Sequence, residues 1–303
     1  MTSLRASALL VTLVALPGLA GGQTLLGRND SVFTWRGPLP AGAVLTVRNH
    51  NGPIDVRPAT GTQVELRAEK RTRYGNYSDV AFDVGTGRNG DVTICSTLRD
   101  NNPCDEERRR WSSDDDGRRG VSVAMTVLVP RGAQVRVSTG NGAVSVERVG
   151  GEVSASTGNG RVNVLNTEGA VRVSTGNGDV VVREVKGAVR VSTGNGRVTV
   201  STAQGPVEAR SGNGDIDVRM TAVRATEDMT FSTGSGDVRV TLPTDYNGEL
   251  DASTGNGSIS SDFDLKVEGR MSPRRVRATI GSGGARLRLA TGNGGLELKK
   301  AQE

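Results

Sequence analysis

The sequence predicts an all-β protein, folded as a single-stranded parallel β-solenoid with about 18 residues per coil. Three observations carry that expectation. The phrase Ser138-Thr139-Gly140-Asn141-Gly142 returns from Ser156, Ser174 and Ser192 at a spacing of 18 residues, and a fixed short period means one unit stacked on itself. A second glycine column, Gly151, Gly169, Gly187 and Gly205, keeps the same period, so each repeat has two corners. Between corners the chain alternates, as in Val171-Arg172-Val173 and Val198-Thr199-Val200. Period-two alternation of β-branched residues bounded by Gly and Asn reads as short, half-buried strands.

Taken from the N-terminus, residues 1–22 have the outline of a signal peptide. Arg5 supplies charge, Ala8 to Leu16 an apolar stretch, and Ala20-Gly21-Gly22 a small-residue cleavage region. The apolar run is shorter than a membrane-spanning helix needs, and no second one follows, so no transmembrane segment is expected. Residues 23–134 form an irregular β region in which the repeat is faint. Asn51-Gly52-Pro53-Ile54-Asp55-Val56 keeps the corner-and-strand outline of a coil. Within this region, Leu98 to Gly120 is a polar excursion containing Arg108-Arg109-Arg110 and Asp114-Asp115-Asp116. The two cysteines of the chain, Cys95 and Cys104, lie at its start. In an oxidising, exported setting they are expected to pair as a disulfide.

Residues 135–303 are expected to be the regular solenoid, continuous with the region before it. The turn ladder comprises Gly140-Asn141-Gly142, Gly158-Asn159-Gly160, Gly176-Asn177-Gly178, Gly194-Asn195-Gly196 and Gly212-Asn213-Gly214, and it degenerates past Gly257. Glycine suits such corners because it reaches positive φ without steric cost, and Asn tolerates the left-handed region. The alternative is an antiparallel β-meander in which every Asn-Gly is a hairpin turn. The residue after the second turn glycine reads Arg161, Asp179, Arg197, Asp215 in successive repeats. Stacked coils would set these opposite charges side by side, whereas a meander would hold them about 9–10 Å apart. Aromatics are 3% of the chain and Gly is 42 of 303 residues, which suits an interior one or two aliphatic side chains wide. The Lys299-Lys300 end is expected to be a charged terminal strand that discourages further edge pairing.

Few residues offer chemistry. The Gly-Asn-Gly corners are followed by strands, not by the helix N-terminus that a phosphate loop requires. A calcium ladder needs Asp at a fixed place in each repeat; Arg161 and Arg197 occupy two of those places, leaving Asp215 and Asp237 as the sole local candidate. The same pair is the best carboxylate constellation for polysaccharide chemistry, but the repeats carry no aromatic sugar platform and the chain has one His, His50, at a corner. No catalytic residues, cofactor or metal are therefore expected. The net charge of +5 is mild. Arg136, Arg172 and Arg190 share one outward column, interrupted by Ser154 and followed by Glu208, which could attract an anionic polymer. Nucleic acid is not expected as a partner, because stacking aromatics are missing from the repeats.

The early Asn-Gly coil at Asn51 to Val56 and the repeated Ser-Thr-Gly-Asn-Gly-x-Val-x-Val units resemble the bacterial "putative adhesin" β-strand-repeat family, a domain of unknown function. The similarity covers most of residues 33–298 and is strongest over 135–260. It implies a β-helical fold and a cell-envelope setting and brings no catalytic residues; the charged, cysteine-flanked excursion departs from it. The function expected is that of an exported, non-catalytic, adhesin-like interaction or structural module at the periplasm or cell surface. Its partner would be an envelope polymer or surface protein. The alternative is a β-helix protein that binds or processes envelope polysaccharide.

Overall fold

A computed structural model describes residues 26–73, 75–87, 89–98, 120–202, 205–223, 227–267 and 272–301. Residues 1–22, expected from the sequence to be a signal peptide, together with Cys104 and most of the charged excursion, lie outside those residues.

Each coil gives one strand to each of two sheets. The strand carrying the Ser-Thr-Gly-Asn phrase joins a 13-stranded sheet, called sheet A here, and the next strand joins a 12-stranded sheet B. Neighbouring coils pair in parallel at the sequence period: Val171 stands between Val153 and Val189 in sheet A, and Val180 between Val162 and Val198 in sheet B. That pairing makes the repeats a solenoid and eliminates the hairpin meander. The alternation read from the sequence sends Val171, Val173, Val180 and Val182 into one continuous core. The core is narrow, and its one large ring in the repeats, Phe231, is accommodated because the coil beneath offers Ala209 at the same register.

The glycines divide into kinds that the sequence does not distinguish. The second glycine of each phrase is left-handed, as at Gly178 with φ +146°, and a Cβ there would lie 2.1 Å from the Gly160 carbonyl oxygen. At Gly176 and in the second-corner column at Gly187, φ is ordinary, but a Cβ would come within 2.5 Å and 2.6 Å of the backbone of the coil below. Close stacking, not φ, demands glycine there. The Asn of the phrase also stays out of the left-handed region. Among the described residues, the non-glycine residues with positive φ are Arg148, Asn166 and Glu184, a separate column just before the second corner.

Both ends depart from simple stacking. The coil at 44–58 packs directly on the coil at 134–147. Beyond it, Val92–Leu98 and Val121–Val129 make a further coil, in parallel with both its strands. The described chain therefore ends at Leu98 and resumes at Gly120, both at the edge where other coils turn through Asn-Gly. Antiparallel strands close this end: Gln63–Thr72 and Val32–Pro38 in sheet B, and Val80–Thr86 in sheet A. Phe33 and Phe82 stack across the cap at 4.5 Å.

At the other end the expected terminal strand is not terminal. Leu296–Lys300 lies between Val238–Leu242 and Ile259–Ser261, paired in parallel with both. The Lys299-Lys300 pair accordingly does not guard an edge; the outermost strands are Ile259–Ser261 in sheet B and Leu265–Val267 in sheet A. Past Gly257 the repeat is interrupted by the antiparallel strands Leu265–Val267 and Arg275–Ile280, and the coil from 286 to 300 then takes it up again, with Thr291-Gly292-Asn293-Gly294 as its phrase. Among the described residues no helix is long and apolar enough to cross a membrane.

Candidate functional site

Every side chain of the phrase has a distinct direction. Thr points inward and the serine before it outward, as strand alternation requires. The buried Thr hydroxyl donates to the second-glycine carbonyl of the coil below: Thr157 to Gly142 at 2.9 Å, Thr175 to Gly160 at 3.1 Å, Thr193 to Gly178 at 3.2 Å. In the coil at 44–58 Asn49 takes its place, donating to the Val123 carbonyl of the neighbouring coil at 2.7 Å and to Gly52 of its own coil at 3.0 Å. This inner ladder was the structural role that sequence patterning missed; its signal was an invariant hydroxyl at a core-facing position.

On the outer rim the asparagines form an amide ladder, with Asn159 donating to Asn141, Asn177 to Asn159, Asn195 to Asn177 and Asn213 to Asn195, each at 2.8 Å. Asn256 does not follow Asn213 directly: Ser235 and Asn293 stand between them. Beside the amides runs a charge ladder. Arg161 reaches Asp179, and Arg197 reaches Asp215, at 3.0 Å. Each carboxylate also accepts a backbone N–H from the next coil: Asp179 from Arg197 at 3.0 Å, Asp215 from Asp237 at 3.1 Å, and Asp237 from Gly295 at 2.7 Å. The Arg197 N–H, with the Arg161 guanidinium, holds the Asp179 carboxyl below its ordinary value, and the Asp237 N–H does the same for Asp215. Asp215 and Asp237 are therefore neighbours, as stacking requires, but their oxygens bind coil backbone. Among the described residues no group of three or more His, Cys, Asp or Glu could hold a metal ion.

The outer face of sheet A carries the arginine column. Arg172 and Arg190 are direct register partners, whereas Arg136 is separated from Arg172 by Ser154. Arg172 pairs with Glu152; Arg190 lies 3.4 Å from Glu208, which also pairs with Arg210. Three guanidiniums, each half-exposed or more, thus face two carboxylates, of which Glu208 is the more buried. The three guanidiniums and Glu208 border a depression of about 250 Å³ whose lining includes Ser154, Ser174 and Ser192. Uncommitted N–H groups on these guanidiniums and a row of serine hydroxyls are donors without strong acceptors, a surface suited to an anion.

The family described as Toastrack DUF4097 matches residues 43–299, nearly the whole described solenoid. The chain belongs to that family. Solved structures similar to this Toastrack chain include a "putative adhesin" from Bacteroides fragilis, at 11% identity over 90% of this chain and 99% of that one, with a TM-score of 0.46. Another is a "putative adhesin" from Parabacteroides distasonis, at 9% identity over 89% and 98% of the two chains, with a TM-score of 0.38. A third is a "putative cell adhesion protein" from Clostridium sporogenes, at 10% identity over 89% and 100%, with a TM-score of 0.28. A search of curated proteins found no match.

The remaining predicted positions of the Toastrack chain lie apart from this face. Cys95 is fully buried in Val92–Leu98, and its expected partner Cys104 is outside the described residues. His50 sits at the first corner, where its backbone N–H donates to the Ser96 hydroxyl at 2.9 Å. The N-terminal cap holds a buried cation that patterning did not reveal. Lys70 donates to the carbonyls of Gly27, Arg28, Tyr77 and Val80 at 2.5–3.0 Å, and burial pushes its pKa down to about 8. Those bonds tie the entering chain to the 77–80 turn; they are a clamp, enclosed by backbone, and not a reactive amine.

Proposed function

We propose that this Toastrack protein is an exported, non-catalytic interaction module of the cell envelope, adhesin-like in that it holds an anionic envelope polymer on the outer face of sheet A. The observation that carries this reading is the Arg172–Arg190 pair beside Arg210 and the serine row. Parallel strands lie about 4.8 Å apart, so consecutive coils offer cationic donors at a repeat that a chain of phosphate, sulfate or carboxylate groups can follow. Stiffness helps: a stacked backbone keeps the donors in place, and little side-chain order is lost on binding. Export is supported by the outline of residues 1–22, and a non-catalytic role by carboxylates engaged with coil backbone instead of with one another.

The test is retention of the mature chain, residues 23–303, on washed envelope fractions at low and high salt. Exposed charge pairs are screened within about 8 Å at physiological ionic strength, so retention is expected at low salt and is lost at high salt. An Arg172→Ser/Arg190→Ser variant should lose it at low salt as well. Retention that ignores both salt and these substitutions, or no retention at low salt, overturns the reading.

A further inference from the structure

Stacking order departs from chain order at both ends: coil 44–58 lies between 92–129 and 134–147, and at the C-terminal end a whole coil is inserted out of turn. The coil at 286–300 sits between coils 229–242 and 248–261 and is in register with both. Asn293 stands against Ser235 on one side and Asn256 on the other; Leu296 stands against Val238 and Ile259. The bonds of this coil therefore go to segments distant in sequence. The Thr291 hydroxyl donates to Gly236 at 2.9 Å, the Thr254 hydroxyl to Gly294 at 2.9 Å, and Gly295 N–H to Asp237 at 2.7 Å.

The route into this seat is unusual. The preceding strand, Arg275–Ile280, pairs with the far edge of Gly248–Asn256, and the coil itself pairs with the near edge. The chain must pass around the start of that strand, and it does so through residues 281–285, Gly-Ser-Gly-Gly-Ala. Gly281, Gly283 and Gly284 all have positive φ, and Asn247 holds the passage by accepting from the Ser282 N–H at 2.8 Å. Five extended residues reach about 17 Å, enough to leave the molecule when the turn opens.

We infer that this seat exchanges its coil with a second copy of the chain. Contacts that are all non-local form equally well whichever chain supplies the coil, and a glycine-rich connector is the element that can switch from turn to bridge. The occupant is specific. Leu287 stacks on Met229, and Leu289 fits between Phe231 and Ala252, all buried. Most other coils carry Val or Ala at those places and would leave the space beside Phe231 underfilled. The short connector brings the C-terminal ends of the two copies together and leaves both arginine faces intact, so the exchange is independent of polymer binding.

Two full-length variants, Ser235→Cys and Asn293→Cys, are refolded together over a range of protein concentrations and then oxidised. Exchange gives a covalent heterodimer that rises with concentration and is missing from either variant alone and from the parent chain with its native cysteines. Thr230→Cys with Arg288→Cys repeats the test on the neighbouring row should the first pair fold poorly. Deleting Ser282 and Gly283 leaves too little chain to round the strand, so the dimer fraction by light scattering should increase several-fold. Mixtures that stay monomeric for both pairs, while each double variant crosslinks within one chain, overturn the inference.

Discussion

The middle of the stack and its C-terminal end are written in the same phrase but are assembled under different rules. From 153 to 242 each coil rests on the one before it in sequence, and almost every interaction repeats at the coil period. From 248 to 300 the phrase is equally clear, yet the last coil of the chain enters below the one before it. Repetition therefore dictates what a coil looks like and which positions it matches, but not which neighbour it takes. Any two coils with the same register are compatible, and side-chain volume at the seat decides between them. The N-terminal cap differs again: antiparallel strands, stacked rings and a buried lysine replace the ladders.

The sharpest way to break the regular middle is to add one carbon. In Gly178→Ala the Cβ meets the carbonyl oxygen of Gly160 while φ remains left-handed. A loss of more than about 3 kcal/mol is expected from strain and displaced stacking. Gly132→Ala has positive φ but open space, so it should cost only about 1–2 kcal/mol. Urea midpoints of the two variants measure the difference, and equal losses would deny that stacking distance matters.

The cap is probed by Lys70→Met. Four carbonyls lose a charged donor, and about 2–3 kcal/mol should go, with hydrogen exchange accelerating at residues 26–28 before it does in the solenoid. A uniform change in exchange would mean that the cap is not a separate unit.

Two threonines in the middle should behave oppositely. Thr175→Val orphans the Gly160 carbonyl and should cost about 1–2 kcal/mol. Thr167 lies between Val149 and Val185 in the repeat, and its buried hydroxyl has no partner. Thr167→Val is accordingly expected to be neutral or to stabilise by up to about 1 kcal/mol, as read by thermal melting.

The smallest effect concerns acid. The folded carboxyls of Asp179 and Asp215 lie below their ordinary value of 3.8. Their contribution is fully present above that value and disappears as pH falls through the lower folded one. Stability should thus fall below about pH 4, and the fall should be shallower in Asp179→Asn/Asp215→Asn. Both groups are substantially exposed, so the change is modest. Parallel pH profiles for the two proteins would show that the charge ladder is energetically silent.

Much of this is legible in the sequence alone. The period, the two corners, the alternation and the opposite charges at Arg161, Asp179, Arg197 and Asp215 each translate directly into stacked parallel strands. What was not legible has identifiable causes. The inward Thr resembles any polar residue of a corner phrase until its direction is known. The different demands on Gly176, Gly178 and Gly187 depend on the distance to the next coil, and sequence carries no such distance. Lys70 reads as a surface residue because the carbonyls around it come from Gly27, Arg28, Tyr77 and Val80, and backbone acceptors leave no mark on composition. The phrase at Thr291 to Gly294 was visible, but its altered first residue, Ala290, and its long spacing from Gly255 disguised it.

By itself the sequence determined the unit: a coil of two short strands, its corners and its register, because period and alternation are local properties. Only tertiary structure decided the order of the coils at the two ends, the closure of both ends and the grouping of Arg172, Arg190 and Arg210. Those outcomes depend on which surfaces meet, and identical repeats specify how to meet without specifying whom.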